Sequence, residues 1–320
     1  MPFTNFPQGF AAGLSVRGMP LLQAQPGQVF FVNNSTTLNP QQRAGSDNNR
    51  GTFLDPFATL ANAISVATAA RGDIIVIGAG HAETISTATA LNLSTSGVAI
   101  IGLGSGSLRP TFTLDTATTS TITVSAANVS IQNCVFVANF LNIAALFTLT
   151  TAKDFAVDRC EFRDTSSVLN FLTLFTTNTT ANAADGFSLT NSKALLLASS
   201  GVVNLLAANG TMNRVLIDGN DYLSTTTGAG AIIPIAAGKI ITGLRLTNNL
   251  FNVVNAAGTA TGYLITTNGS TNTGFIHGNY DHALPTTPLL VTASSGFVYG
   301  TNYHSDTADL SGYLLPAADS

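Results

Sequence analysis

The sequence predicts an all-β fold: a right-handed parallel β-helix of about eight coils, with an N-terminal capping helix and an extended N-terminal arm. Two observations carry that prediction. The first is a repeat of about 28 residues that occupies the chain beyond position 95. The second is composition: only 9% of 320 residues are charged while 45% are hydrophobic, so small uncharged polar residues have replaced charge. A net charge of −4 over this length excludes charge-driven disorder. Twelve Lys+Arg against 16 Asp+Glu argue against a nucleic-acid partner. No apolar run is long enough for a membrane helix, the longest candidate, 194–208, being broken by Ser199, Ser200, Gly201 and Asn204. Met1-Pro2-Phe3-Thr4-Asn5 lacks the basic start and apolar core of a signal peptide, so synthesis in the cytoplasm is expected.

Residues 1–26 read as an arm, and 27–320 as a single domain. In the arm Phe3, Phe6 and Phe10 alternate with Pro2, Pro7, Gly9, Gly13, Gly18, Pro20 and Pro26. Pro removes backbone donors and Gly raises the entropy of ordering, so the arm forms no core of its own. Either it straps its own domain or it docks on a partner. Residues 28–32 form a short strand. A helix near 56–70 follows, with Asp55 as N-cap, Pro56 in the first helical position and Gly72 as the stop. Phe57, Leu60, Ala61, Ile64 and Thr68 give it an apolar face that would cover the open first coil. Residues 73–77 are a buried strand.

The repeat is anchored at Cys134, Cys160, Ser192, Asn220, Asn249, Asn279 and Asn302, with an earlier turn near 98–102 starting the series. Three positions before each anchor stand Ile131, Val157, Leu189, Ile217, Leu246, Ile276 and Tyr299, which point inward. Immediately before it come Asn133, Arg159, Asn191, Gly219, Asn248, Gly278 and Thr301, mostly residues that tolerate a bend through positive φ. Asn220, Asn249, Asn279 and Asn302 stack as a polar structural ladder. Two residues on, Phe136, Phe162, Tyr222 and Phe251 form an aromatic column.

The stretch Gly51-Thr52-Phe53-Leu54-Asp55-Pro56-Phe57-Ala58-Thr59-Leu60, with Ala63-Ile64, Gly72-Asp73-Ile74-Ile75-Val76 and Gly80-His81-Ala82-Glu83, resembles the opening of pectin-lyase-like right-handed β-helix proteins. More narrowly it is similar to β-helix virion proteins of tailed bacteriophages, including those that decorate or cement capsids. The resemblance covers about residues 46–84, and through the repeat, loosely, the remainder. It implies a homotrimer attached to the major capsid protein or to neighbouring virion subunits, located in the virion after synthesis in the host cytoplasm. The motif caps a β-helix in lyases, hydrolases and inert virion parts alike, so function has to come from the site.

No catalytic, cofactor-binding or metal-binding residues are assigned from the sequence. The densest charge cluster is Asp158, Arg159, Glu161, Arg163 and Asp164, where Glu161 is expected to pair with Lys193 of the next coil. A glycosidase would need two carboxyls flanking the bond it cleaves; the cluster reads instead as surface ion pairing. His277, His282, His304, Asp281 and Asp306 gather near the C-terminus without a compact metal-ligand spacing. His81 and Glu83 read as structural. Cys134 and Cys160 stack in one column, and a stacked geometry favours reduced thiols. The absence of Trp, with six Tyr, argues against an aromatic sugar-binding platform. The functional expectation is a structural virion protein with no cofactor and no membrane or nucleic-acid partner, Phe3, Phe6 and Phe10 being its candidate docking residues. The alternative is a tailspike-like protein that binds or degrades polysaccharide.

Overall fold

The computed structural model describes residues 15–16, 19–20, 27–36, 41–198, 201–226, 230–255, 262–266, 271–283, 291–292, 296–305 and 313–315. Phe3, Phe6 and Phe10 lie outside the described residues, as does Asp306. The chain is an all-β, right-handed parallel β-helix with very little helix. Three walls run along it. Coil 1 contributes Ile74–Ile77, Ala82–Ile85 and Leu91–Leu93 to the first, second and third walls. Coil 2 contributes Ala99–Gly102, Thr111–Leu114 and Ile122–Val124, and coil 3 Ser130–Gln132, Val135–Ala138 and Phe147–Leu149. Coil 4 is Ala156–Asp158, Glu161–Asp164 and Thr173–Thr177; coil 5 is Ser188–Thr190, Lys193–Leu196 and Asn204–Ala207. Coil 6 is Leu216–Asp218, Asp221–Thr226 and Gly230–Pro234, and coil 7 Ile241–Thr247, Leu250–Asn255 and Gly262–Thr266. Coil 8 has Thr273–His277 and Tyr280–Ala283 but only Val291–Thr292 on its third wall, so about seven turns are fully formed. Gly296–Tyr299 and Asn302–Ser305 begin one more turn, and Tyr313–Leu315 pairs antiparallel with the second of these.

Register follows the repeat. Ile131 stacks on Val157, Leu189, Ile217, Leu246, Ile276 and Tyr299 in turn. The series starts two strands earlier than the turn at 98–102, because Ile74–Ile77 and Val29–Val32 continue the first wall. Alternation within each strand sends every second side chain inward, where burial of a Leu, Ile or Phe contributes roughly 1.5–3 kcal/mol. In coils 2 to 5 the interior is packed with rings. Phe112 and Phe136 stack at 5.6 Å, Phe136 and Phe162 at 5.9 Å, and on the third wall Phe147 and Phe175 at 5.2 Å. Edge contacts tie the columns together, Phe136 to Phe147 at 5.1 Å and Phe162 to Phe175 at 5.7 Å. Ala194 interrupts the second-wall column before Tyr222 and Phe251 resume it.

The capping helix is shorter than the sequence predicts. Helix α1 spans Leu60–Val66, with Thr59 rather than Asp55 as N-cap, its hydroxyl accepting from Asn62 N at 3.2 Å. Pro56 and Phe57 stay outside it because Phe57 is recruited as extended backbone, donating to Phe31 O and accepting from Asn33 N, each at 2.9 Å. Tertiary pairing overrides a good local start signal. Asp47 fixes the entry, its carboxylate accepting from Ala58 N at 3.0 Å and Thr59 N at 2.9 Å. Ala67, extended at ψ 147°, ends the helix before Gly72 is reached.

Two polar clusters lock this cap to coil 1. Asp73 accepts from Gln28 N, Thr68 N and the Arg71 guanidinium at 2.6–2.8 Å. The Arg71 hydrogen bonds hold the Asp73 carboxyl down at about 2 despite burial. His81, buried, accepts from Asn34 N at Nδ1 (3.1 Å), so its proton sits on Nε2, facing Glu83 Oε2 at 3.2 Å. That same carboxylate oxygen accepts from Leu60 N at 2.9 Å, at the first turn of the helix. His81 and Glu83 thereby stitch cap to coil.

Candidate functional site: the corner between the first and second walls

From coil 3 to coil 8 the chain turns sharply between its first and second walls, and the turn residue has positive φ. Asn133, Arg159, Asn191 and Asn248 adopt φ of 50–57°, and Gly219 and Gly278 67–68°. This conformation costs an ordinary side chain of the order of 1 kcal/mol, which explains the Asn and Gly at these positions. The next residue points into the core, and here the two halves of the molecule differ.

In the upper coils the inward residue is Asn. Asn220 Nδ2 donates to Leu189 O and to Asn249 Oδ1, at 3.0 and 2.9 Å. Asn249 Nδ2 donates to Ile217 O and Asn279 Oδ1, and Asn279 Nδ2 to Leu246 O and Asn302 Oδ1. Backbone N–H groups of Ser192, Asn220, Asn249 and Asn279 donate to the amide oxygen one coil up, at 2.9–3.1 Å. All four Asn are buried, so these bonds satisfy groups that would otherwise be costly to desolvate. In the lower coils Cys134 and Cys160 take the position as free, buried thiols. Burial pushes the Cys160 thiol up to about 12 and raises Cys134 as well, so both remain protonated.

Outside the lower corner lies a groove of about 320 Å³ lined by Gly106, Arg109, Asn133, Arg159, Cys160, Glu161, Asn191 and Lys193. The register places Glu161 beside Lys193, but the expected pair does not form. Glu161 is gripped instead by Arg109 and Arg163, one guanidinium on each oxygen. Arg109 arrives from 52 residues upstream, carried over the corner by the 3₁₀ turn Gly106–Leu108. Burial would raise the Glu161 pKa, but the two guanidiniums outweigh it and hold it below its ordinary value. Asp158 is similarly spent: it takes Arg159 Nε at 2.8 Å, Thr190 Oγ1 at 2.8 Å and Asn191 Nδ2 at 2.9 Å. These bonds overcome partial burial and lower its pKa. Asp218 accepts from Thr247 and Asn248 in the same way two coils up. The Thr-Asn pairs at 190–191 and 247–248 were a readable signal for this bracket.

Asp164 leaves the surface cluster and turns inward. Its oxygens accept Phe171 N at 2.9 Å and Leu197 N at 2.7 Å, and burial pushes its pKa to about 7 despite those donors. The second wall nonetheless carries exposed aromatic rings near the C-terminal end. Leu250, Tyr280 and Tyr303 share one outward column on the second wall, and the two Tyr rings stack at 5.3 Å. Tyr280 is 56% exposed and Tyr303 42%. Across the corner Phe275 and Val298 stack in register and are exposed too. The signal was the position just after each anchor, which alternation directs outward. His277 Nδ1 accepts from Thr301 N, and His282 Nδ1 meets Ser305 Oγ at 2.9 Å. Among the described residues no group of three or more His, Cys, Asp or Glu is placed to hold a metal, and no helix is long and apolar enough to cross a membrane.

No known family model matches the sequence, and no curated protein matches it. Among solved structures, a rhamnogalacturonan lyase matches at 15% identity over 89% of this chain and 88% of its own, with a TM-score of 0.48. Geobacillus virus E2 ORF18 matches at 11% identity over 77% of this chain and 57% of its own, with a TM-score of 0.34.

Proposed function

We propose that the protein is a non-catalytic structural rod of a bacteriophage virion, decorating or cementing the capsid. The observation that carries the non-catalytic part is the fate of the carboxylates in the densest charge cluster. Glu161 is neutralised between two guanidiniums, Asp158 is bound by three donors, and Asp164 caps two backbone N–H groups in the interior. A general acid or base must be free to exchange a proton with substrate, and each of these is committed to the scaffold. The virion part rests on the resemblance carried by residues 46–84, which also suggests a trimer contacting the major capsid protein or neighbouring subunits. A second reading, a receptor-binding spike that grips polysaccharide, is favoured by the exposed Tyr280–Tyr303 stack, since sugars pack on aromatic faces.

Incubation of the purified protein with host-surface polysaccharide should release no reducing ends and no unsaturated sugars. Turnover that is lost in Asp158→Asn or Glu161→Gln would overturn the non-catalytic reading. Deleting residues 1–26 should leave a folded β-helix that no longer joins particles; a truncated protein that incorporates fully would place the docking surface elsewhere.

A further inference from the structure

The groove at the lower corner holds more positive charge than its surroundings need. Arg109, Arg159 and Lys193 face it against one carboxylate, Glu161, in a chain whose net charge is −4. Arg163 and Asp158 flank it and cancel, and Asp221, the register neighbour of Lys193, offsets one further charge, so one positive charge remains in excess. Four of the chain's 12 Lys and Arg residues thus meet at one corner. Lys193 is the group left over. Its two register neighbours are acidic, Glu161 below and Asp221 above, yet no carboxylate among the described residues lies within ion-pair distance of its ammonium. Glu161 has been drawn away by Arg109 and Arg163. The outcome is an exposed ammonium with three donors to offer, beside the Arg159 guanidinium, over a hollow of about 320 Å³.

We propose that this corner binds a phosphate-class oxyanion. Lys193 supplies the point charge, Arg159 the Nη donors that its bonds to Asp158 and Gln132 leave over, and the Arg109–Glu161–Arg163 bridge a net positive wall. A tetrahedral oxyanion offers more acceptor oxygens to these separate cationic donors than a planar carboxylate does, which favours phosphate over acetate. Asn133 Nδ2 is occupied by Gly102 O and Gly104 O, which leaves its amide oxygen as an acceptor on the groove. A hydroxyl of a larger phosphorylated molecule could donate there. The inference holds whichever reading of the rod is correct.

Inorganic phosphate, acetate and glucose 6-phosphate, titrated calorimetrically into the full chain at low and matched ionic strength, test it. Phosphate should bind saturably, acetate at least tenfold more weakly, and Lys193→Gln or Arg159→Asn should weaken phosphate tenfold or more. Lys193 is exposed, so an unchanged melting temperature will show that its variant is folded. Tighter binding of the sugar phosphate would identify a phosphate carried on a larger molecule; tighter binding of the free ion would identify the ion itself. Absent binding, equal affinity for acetate, or phosphate affinity unchanged in the variants would overturn the proposal.

Discussion

Coils 2 to 4 and coils 6 to 8 lie on either side of coil 5 in one continuous winding, yet they close the same corner by different chemistry. In the lower coils the corner is apolar inside and charged outside: buried thiols at 134 and 160 share the core with stacked Phe rings, while Arg, Lys and Glu crowd the groove. In the upper coils it is polar inside and apolar outside, the Asn ladder running behind Leu250, Tyr280 and Tyr303. A turn that satisfies its backbone through internal side chains does not depend on its outer face, which is then free to be a contact surface. Where the interior supplies rings instead, cohesion comes from packing, and the outer face can carry charge. The difference separates two sources of stability that single substitutions can tell apart.

The largest effect belongs to the ring-packed half. Phe147 is fully buried and touches Phe136, Phe155 and Phe175, so Phe147→Ala should destabilise by about 3–5 kcal/mol in a denaturant titration. A loss below about 1 kcal/mol would mean that the rings do not carry these coils.

Asp164, at the end of the second-wall strand of coil 4, gives a smaller and pH-dependent effect. Its folded pKa of about 7 lies above the ordinary carboxyl value, so between roughly pH 4 and 7 the folded state holds a proton the unfolded state has released. Stability from this group is complete below that window and is lost as pH rises through 7. In Asp164→Asn the downward slope across that range should flatten. The variant should also lose about 1–3 kcal/mol at pH 4–5, because one amide NH2 must face a backbone donor. A slope unchanged by the substitution would assign the pH dependence to other groups.

The smallest effect concerns the thiols. Held protonated and buried, Cys134 and Cys160 should resist alkylation at pH 8 in native protein and react at once in denaturant, and Cys160→Ala should cost only about 1 kcal/mol. Rapid native-state labelling would show that the lower corner opens.

Much of this architecture was legible because stacking places like on like. The inward column from Ile131 to Ile276 and the four Asn were readable as a repeat, since each coil must match the one beneath it. What escaped was decided across coils. Asp55 and Pro56 are good local helix signals, but the pairing of Phe57 with residues 31 and 33 cost the helix its first turn. Glu161 and Lys193 are neighbours by register, yet Arg109, fixed by a turn two coils below, wins the carboxylate. Repeat position predicts which face a side chain takes; it does not predict its partner when several long side chains compete.

Asn249 offers the most direct test of the contrast. Its amide links Asn220 below to Asn279 above and is fully buried. In Asn249→Ala, expected to cost about 1–3 kcal/mol, native-state hydrogen exchange should show amide protection falling at the corners of coils 5 to 8, from Ser192 to Asn279. The strands of coils 2 to 4 should keep theirs. Equal loss along the whole rod, or no loss at the upper corners, would contradict the claim that the ladder holds one half and ring packing the other.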